Sequence, residues 1–337
     1  MIVAVDAMGG DYAPAEIIKG ALQGSKLYGV DVVLVGDEDV IKRHLPNWAK
    51  CASGSVSIKH ASEAIGMDEH VEAVRTKRDA SVVVCACLVK ERKADAMVTM
   101  GNTGAAMAAA TLKLDRITGI HRPALAAPMP SKSGSTLLLD VGAVVDCSAE
   151  NLRQFALMGS IYAQKVLSIK SPRVGLLSVG EEKSKGNKVT LAAQEALAAA
   201  AINFIGNVEG RDAFSGIADI VVTDGFVGNA VLKAAEGLAE YIRWVVRDDI
   251  CSHPLMWIPL AMLLGGAKRL KRKLDYSEYG GAPLLGVDGV CIIGHGRSKA
   301  RALANAIRAA REAVSGGLVT AIRDALTDSS KLEVPVS

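Results

Sequence analysis

Short apolar runs rich in β-branched residues recur along the chain at Ile2–Val5, Val32–Val35, Ala96–Val98, Thr136–Leu139, Val174–Val179 and Ile220–Thr223. Runs of this length bounded by Gly, Asp or Asn predict strands. Between them lie longer stretches with apolar residues at helical spacing, including Ala80–Lys90, Glu150–Val166, Thr190–Ala200 and Ala230–Val246. Strand and helix in alternation predict βαβ units, and hence an α/β fold with a mostly parallel, Rossmann-like sheet between two helical layers. No internal repeat, low-complexity tract or Pro/Ser-rich linker interrupts the pattern, so a single α/β/α domain is expected over 1–337. The clearest departure is 250–275, where the apolar stretch Pro254–Leu264 precedes the basic cluster Lys268-Arg269-Leu270-Lys271-Arg272-Lys273. This segment is expected to protrude from the core.

Composition sharpens the layer argument. Half of the 337 residues are hydrophobic but only 4% are aromatic, so Ala, Val, Ile and Leu must fill the core, as suits strands buried on both faces. The formal net charge of +3 sets up no global field for nucleic acid, and any charged partner must be met locally. Cys51, Cys85, Cys87, Cys147, Cys251 and Cys291 lack CxxC spacing, which argues against a zinc ribbon or disulfide framework and for a reducing cytoplasm. The N-terminus reads as a first strand rather than a signal peptide.

Ligands of open parallel sheets bind beyond the carboxyl ends of the strands, which directs attention to the turns after each apolar run. Five mix Gly with Asp, Asn, Thr or Lys: Asp6-Ala7-Met8-Gly9-Gly10-Asp11, Gly101-Asn102-Thr103-Gly104, Asp140-Val141-Gly142, Glu182-Lys183-Ser184-Lys185-Gly186-Asn187 and Asp224-Gly225-Phe226-Val227-Gly228-Asn229. Glycine admits close backbone approach, and a following helix offers unpaired N–H groups to a phosphate-like anion. Gly101 to Gly104 is the best such candidate, although for the motif alone a tight turn with an Asn or Thr cap is the simpler reading. Asp6 and Asp11 fit a turn and a helix cap, with Pro14 opening the helix. Lys185 can supply a compact charge to phosphate or a developing oxyanion, or be a solvated surface charge. Asn229 can cap the helix after Asp224 or offer its amide to substrate. His295, in Gly294-His295-Gly296-Arg297-Ser298 at a strand-to-helix junction, stands out among six scattered histidines.

Several chemistries lose support: there is no GxxxxGK[ST] loop, no GxGxxG after a strand, no GxSxG elbow, no HExxH and no metal-ligand spacing of His. No metal or other cofactor is expected.

Taken in order, the turns resemble the bacterial phosphate acyltransferase family, PlsX, over nearly the whole chain. The resemblance rests on Val5 to Asp11, Gly101 to Ala105, Leu139 to Ala143, Lys185-Gly186-Asn187, Phe204 to Glu209, Val222 to Phe226, Gly228-Asn229 and Tyr279 to Ala282. It implies a homodimeric α/β/α sandwich similar to phosphotransacetylases and the isopropylmalate dehydrogenase group, with a cleft beside the sheet. It further implies transfer of a fatty acyl group from acyl-carrier protein to inorganic phosphate, in phospholipid synthesis. By the same resemblance Lys185 and Asn229 are catalytic. The turns holding Asp6, Gly9, Gly10, Gly101, Asn102, Thr103, Gly104, Asp140, Gly142, Asn187, Asp224, Gly225, Phe226 and Gly228, together with His295, line the site. Val144 stands where many members have Asn, and Tyr12 where His is common, which puts polar roles at both positions in doubt.

The residues then support a mechanism in which Gly101 to Gly104 hold phosphate while Lys185 and Asn229 stabilise the oxyanion. Leu255 to Leu264 is too short for a bilayer that takes about 20 helical residues. Met256, Trp257, Ile258, Leu260, Leu263 and Leu264 suit shallow insertion, and the basic cluster suits anionic headgroups or an acidic carrier protein. An apolar dimer contact accounts for the segment as well; the family resemblance, to peripherally membrane-associated enzymes, favours the membrane. The partners implied are acyl-carrier protein, phosphate, a second copy of the chain, the membrane surface and a downstream glycerol-3-phosphate acyltransferase. The competing readings are a phosphotransacylase of coenzyme A thioesters, a metal-dependent dehydrogenase of related fold and a non-catalytic membrane scaffold.

Overall fold

The computed structural model describes residues 1–45, 56–245, 248 and 280–332. The predicted membrane-contact residues Met256 to Leu264, the basic cluster and Tyr279 lie outside the described residues.

Among the described residues, eleven strands form one sheet: β1 (Ile2–Asp6), β2 (Asp31–Gly36), β3 (Val56–His60), β4 (Ala96–Thr99), β5 (Ala124–Ser131), β6 (Gly134–Leu139), β7 (Arg173–Leu177), β8 (Asn203–Val208), β9 (Ile220–Val222), β10 (Ala282–Leu285) and β11 (Val290–Ile293). Their order is β3-β2-β1-β4-β11-β10-β5-β6-β9-β7-β8. Seven of the ten pairings are parallel, and the three antiparallel ones all fall in the middle, at β11/β10, β10/β5 and β5/β6. The sheet therefore consists of two parallel halves running in opposite senses. Register offsets them: the top of β11, Ile293, pairs with Ala282, whereas the end of β6, Leu139, pairs with Ala126, next to the Leu125 that meets Leu284. The carboxyl ends of both halves consequently face a shared cleft.

Helices cover both faces. One layer holds α1 (Ala15–Tyr28), α2 (Glu38–His44), α6 (Ala149–Lys165), α7 (Lys188–Ala198), α9 (Ala300–Ser315) and α10 (Leu318–Leu332). The other holds the short α3 (Ala73–Thr76), α4 (Ser81–Lys90), α5 (Thr103–Leu114) and α8 (Gly225–Trp244). The alanine content has a packing reason. On α9, Ala302, Ala306, Ala309, Ala310 and Ala313 are buried, and α1 lies so close that a Cβ on Gly20 would stand 2.5 Å from the Ala300 carbonyl oxygen. Small side chains let these helices approach closely and interdigitate at interior density.

Local signals explain the ends. Ser148 and Asn151 form a reciprocal cap at the start of α6, and Asn102, Asn187 and Asp224 accept the N–H three residues on at α5, α7 and α8. Pro14 precedes α1 as the sequence suggests. No helix among the described residues is long and apolar enough to cross a membrane.

Candidate active site

The Asp6 turn is built around a buried carboxylate. Ser81 Oγ donates to Asp6 Oδ1 at 2.6 Å, Thr99 Oγ1 to Oδ2 at 2.7 Å and the Met8 N–H to Oδ1 at 3.2 Å. Burial pushes its pKa up, while these hydrogen bonds pull the other way. Gly9 stands where a Cβ would come 2.4 Å from Asp6 Oδ2. The expectation that Asp6 meets phosphate is therefore corrected: it ties β1 to β4 and α4, because a buried acceptor with its donors already supplied has nothing to offer an anion.

Gly101 also turns inward, its N–H donating to Thr99 Oγ1 at 3.0 Å. Asn102 accepts from the Ala105 N–H at 3.0 Å and donates its amide to the Met67 and Glu69 carbonyls at 3.1 and 3.0 Å. Both are framework rather than ligand contacts. The N–H groups of Thr103 and Gly104 remain at the exposed start of α5, without a partner among the described residues. They are the donors this turn has to give.

A second buried aspartate organises the opposite wall. Asp140 Oδ1 accepts from the N–H groups of Leu125, Gly142 and Ala143 at 2.8, 3.2 and 3.1 Å, and Oδ2 from that of Val144 at 2.7 Å. It is a loop anchor, again a correction, and burial raises its pKa. Val144 contributes backbone groups here, accepting from the Gly225 N–H at 2.8 Å, and buries its side chain. Tyr12 is half-exposed, with Lys299 Nζ 5.3 Å from its ring centre.

Asp224, not Asn229, caps α8, accepting from the Val227 N–H at 2.8 Å. A Cβ on Gly228 would stand 1.9 Å from the Asp140 carbonyl oxygen, so only glycine lets the helix lie against that turn. Gly225 and Gly228 thus act by packing. The next residue, Asn229, faces the cleft.

There a cavity of about 420 Å3 is lined from both halves of the sheet. Thr103, Gly104 and Met107 come from α5, Leu125 and Pro128 from β5, and Gly142 from the Asp140 turn. Asn229, Leu232, Lys233 and Glu236 come from α8, with Ile293 and His295 from the end of β11. Lys233 Nζ sits 2.9 Å from Glu236 Oε2, and His295 Nε2 is 3.8 Å from the same oxygen. His295 Nδ1 accepts from the Arg297 N–H at 3.2 Å, so Nε2 carries the proton in the neutral ring.

A larger cavity of about 660 Å3 lies across α8, within the second half of the sheet. Asn187, Asp224, Asp146 and Cys147 line it among Leu152, Leu176, Val227 and other apolar residues. Lys185 lines neither space. It is exposed, and its carbonyl accepts from Ser178 Oγ at 3.2 Å and Asn207 Nδ2 at 3.3 Å. Phe226 is 68% exposed. The structure thus brings Thr103, Gly104, Gly142, Asn229 and His295 together and leaves Lys185, Asn187 and Phe226 outside their cavity.

Residues 1–320 match the family of fatty acid synthesis proteins. The chain is 52% identical over 327 residues to a phosphate acyltransferase of Pelotomaculum thermopropionicum, covering 97% of this chain and 95% of that one. The chain belongs to the phosphate acyltransferase family. A phosphate acyltransferase of Desulfitobacterium hafniense is 50% identical over 328 residues, 97% of this chain and 98% of its own. Phosphate acyltransferase fold likeness extends further. A phosphotransacetylase from Streptococcus pyogenes superposes with a TM-score of 0.60 at 18% identity, over 93% of this chain and 94% of that one. A 4-hydroxythreonine-4-phosphate dehydrogenase from Klebsiella pneumoniae does so with a TM-score of 0.53 at 15% identity, over 93% and 99%. These distant likenesses place the fold, an α/β/α sandwich around a mostly parallel sheet, and the family makes the chain an acyltransferase.

Sequence reasoning missed Lys233 and Glu236, the charged pair of the cavity. The signal was present: they stand four and seven residues after Asn229, on the same face of a helix.

Proposed function

We propose that the protein transfers a fatty acyl group from an acyl-carrier-protein thioester to inorganic phosphate, supplying acyl-phosphate to phospholipid synthesis. The observation that carries this reading is the cavity that sets the free N–H groups of Thr103 and Gly104, the Asn229 amide and the Lys233 ammonium beside an apolar wall of Met107, Leu125, Pro128, Leu232 and Ile293. Its volume lies in the range of small-molecule sites, roughly 300–1,000 Å3.

Phosphate is held at the start of α5, where two backbone donors and the helix dipole favour an anion. One of its unprotonated oxygens attacks the thioester carbonyl. The Asn229 amide donates one N–H to phosphate and the other to the carbonyl oxygen as it gains charge, the C–S bond breaks with its electron pair on sulfur, and the carrier departs as a thiolate that takes its proton from solvent. Phosphate near neutral pH needs orientation more than deprotonation, so no strong base is required. Lys185, exposed on the same carboxyl edge two strands from β6, is proposed as a second cation that meets the donor from outside the cavity.

The remaining partners are also proposals: an acidic acyl-carrier protein, a second copy of the chain, a downstream glycerol-3-phosphate acyltransferase and peripheral contact with the cytoplasmic membrane surface. Support for the last comes from Leu238, Tyr241, Ile242 and Trp244, exposed on the final turns of α8 that lead into the apolar and basic segment.

The test is phosphate-dependent release of carrier thiol from palmitoyl-carrier protein, with hydroxylamine trapping of acyl-phosphate. Turnover that requires phosphate supports the reading. Turnover with acyl-coenzyme A alone would move the protein to the phosphotransacylases, and none with either thioester would leave the scaffold reading.

A further inference from the structure

A site that takes phosphate from a cell must also refuse sulfate, an anion of the same shape and similar charge. The two differ in one respect that a protein can read. Near neutral pH phosphate carries at least one P–OH, a hydrogen-bond donor, whereas sulfate offers only acceptors. Backbone N–H groups, an asparagine amide and an ammonium group bind both equally well. Discrimination needs a group that rewards the donor and repels the ion lacking it, and a carboxylate, an acceptor with negative charge, does both.

Among its described lining residues the cleft cavity holds one such group. Glu236 is the sole carboxylate there, set among the donors Thr103, Gly104, Asn229, Lys233 and His295. An acid in an anion site is costly unless it is neutralised or used. Lys233, 2.9 Å away, neutralises it, and His295 Nε2 lies 3.8 Å off. The Arg297 N–H donating into Nδ1 leaves the proton of the neutral ring on Nε2. The Glu236 side chain is 29% exposed, so it belongs to the wall and not to a solvated face of α8.

We infer that Glu236 is the residue that selects phosphate over sulfate, accepting the P–OH hydrogen bond that only phosphate can donate. The inference rests on the cavity being the phosphate site. On binding, the P–OH points to Glu236, Lys233 is shared between the carboxylate and a phosphate oxygen, and the oxygens facing Thr103, Gly104 and Asn229 stay unprotonated, one of them free to attack. The proton remains on the phosphoryl group throughout the transfer, so the C–O bond forms and the C–S bond breaks without a proton having to leave first. Sulfate in the same place would set an unprotonated oxygen against the carboxylate. Sites that hydrogen-bond a substrate hydroxyl reject its analogue by as much as about 10⁴–10⁵ when fully desolvated, and a partly exposed carboxylate should give on the order of 10- to 100-fold.

The experiment is calorimetric titration of the full-length protein with sodium phosphate and with sodium sulfate, for the wild type, Glu236→Gln, Glu236→Asp and Asn229→Ala. Melting temperatures confirm that each variant is folded. The expected result is a wild-type preference for phosphate of about tenfold or more. Glu236→Gln should reduce it to within a few-fold by tightening sulfate, because the Gln amide can donate where the carboxylate could not; Glu236→Asp should keep much of it. A phosphate-to-sulfate ratio unchanged in Glu236→Gln, or a wild type that binds the two anions alike, would overturn the inference while leaving the cavity as the phosphate site. Phosphate binding that is the same in wild type, Asn229→Ala and Glu236→Gln would place phosphate elsewhere and remove both readings together.

Discussion

The two cavities flanking α8 share a helix and differ in almost everything chemistry would use. On the cleft side, Asn229, Lys233 and Glu236 face His295 and the open N–H groups of α5, contributed by the other half of the sheet. On the far side, Asp224 and Val227 face Asp146, Cys147 and the valines of a space that is larger but has two carboxylates and no basic residue among its described lining. A phosphate dianion entering the second would meet uncompensated negative charge, which several kcal/mol of hydrogen bonding could not readily offset. Size is therefore a poor guide here. What distinguishes the cleft is that donors from two halves of the sheet converge, so a ligand can be gripped from both sides, as expected where strand order reverses in an α/β sheet.

The comparison is sharpened most by changing one face of α8 at a time. Asn229→Ala removes the proposed oxyanion donor, and such losses typically cost about 10²–10³ in kcat, or about 2.7–4 kcal/mol. Val227→Ala, two residues earlier on the other face, should leave kcat within about threefold, the usual effect of a mild truncation away from chemistry. Steady-state rates of both purified variants, at saturating phosphate, give the contrast. Equal losses would mean that the helix, not its cleft face, is what matters.

Lys185→Ala comes next. Lys185 lies outside both cavities, so a loss near 10² in kcat, the lower end of the range for an electrostatic donor, would show that its charge reaches the reacting thioester once the carrier is bound. A rate within about twofold of wild type would confine the chemistry to the cleft and retire the resemblance-based role of this lysine. Glu195→Ala, on exposed α7 away from the site, supplies the control for nonspecific charge effects.

How far the sequence revealed this arrangement follows from the forces that shaped each part. Strands β1, β2, β4, β6, β7 and β9 are buried, so they read as apolar runs with a glycine or polar stop. Strand β5 escaped because Pro128 and Pro130 interrupt it, tolerable where Met129 and Ala127 can still carry the ladder to β6. Strands β10 and β3 are short or half-exposed and give weak periodic signals. The turns after the apolar runs stand out along the chain, but one sequence cannot say which polar group of a turn faces in. Asp6 and Asp140 look like ligand contacts along the chain and prove to be the buried pins of their loops, since only the fold brings Ser81, Thr99 and Leu125 to them.

Gly228→Ala tests the geometry that joins the two faces. A methyl group 1.9 Å from the Asp140 carbonyl oxygen cannot be accommodated, so α8 must lift from the Asp140 turn. Overpacking of this kind costs about 1–3 kcal/mol, which should lower the melting temperature by several degrees. Since Asn229 follows directly, kcat should fall as well, even with saturating phosphate. A variant of native stability and rate would mean that the contact is relaxed in solution.

The smallest effect belongs to Cys147 in the far cavity. Its thiol is pushed up to about 12 by burial and by the neighbouring carboxylates of Asp140 and Asp224. The thiolate is the reactive form, and an unperturbed thiol near 8.5 has a few per cent of it at neutral pH. A thiol at about 12 has some three orders of magnitude less, so Cys147 should alkylate with iodoacetamide far more slowly at pH 7 than a solvent-exposed cysteine, and the rate should still be climbing at pH 10. Peptide mapping of the alkylated protein distinguishes Cys147 from Cys85 and Cys291, which are fully buried. Fast labelling of Cys147 at neutral pH would reveal a cation near the thiol, remove the electrostatic contrast between the two sides of α8, and reopen the larger cavity as a place where an anion could bind.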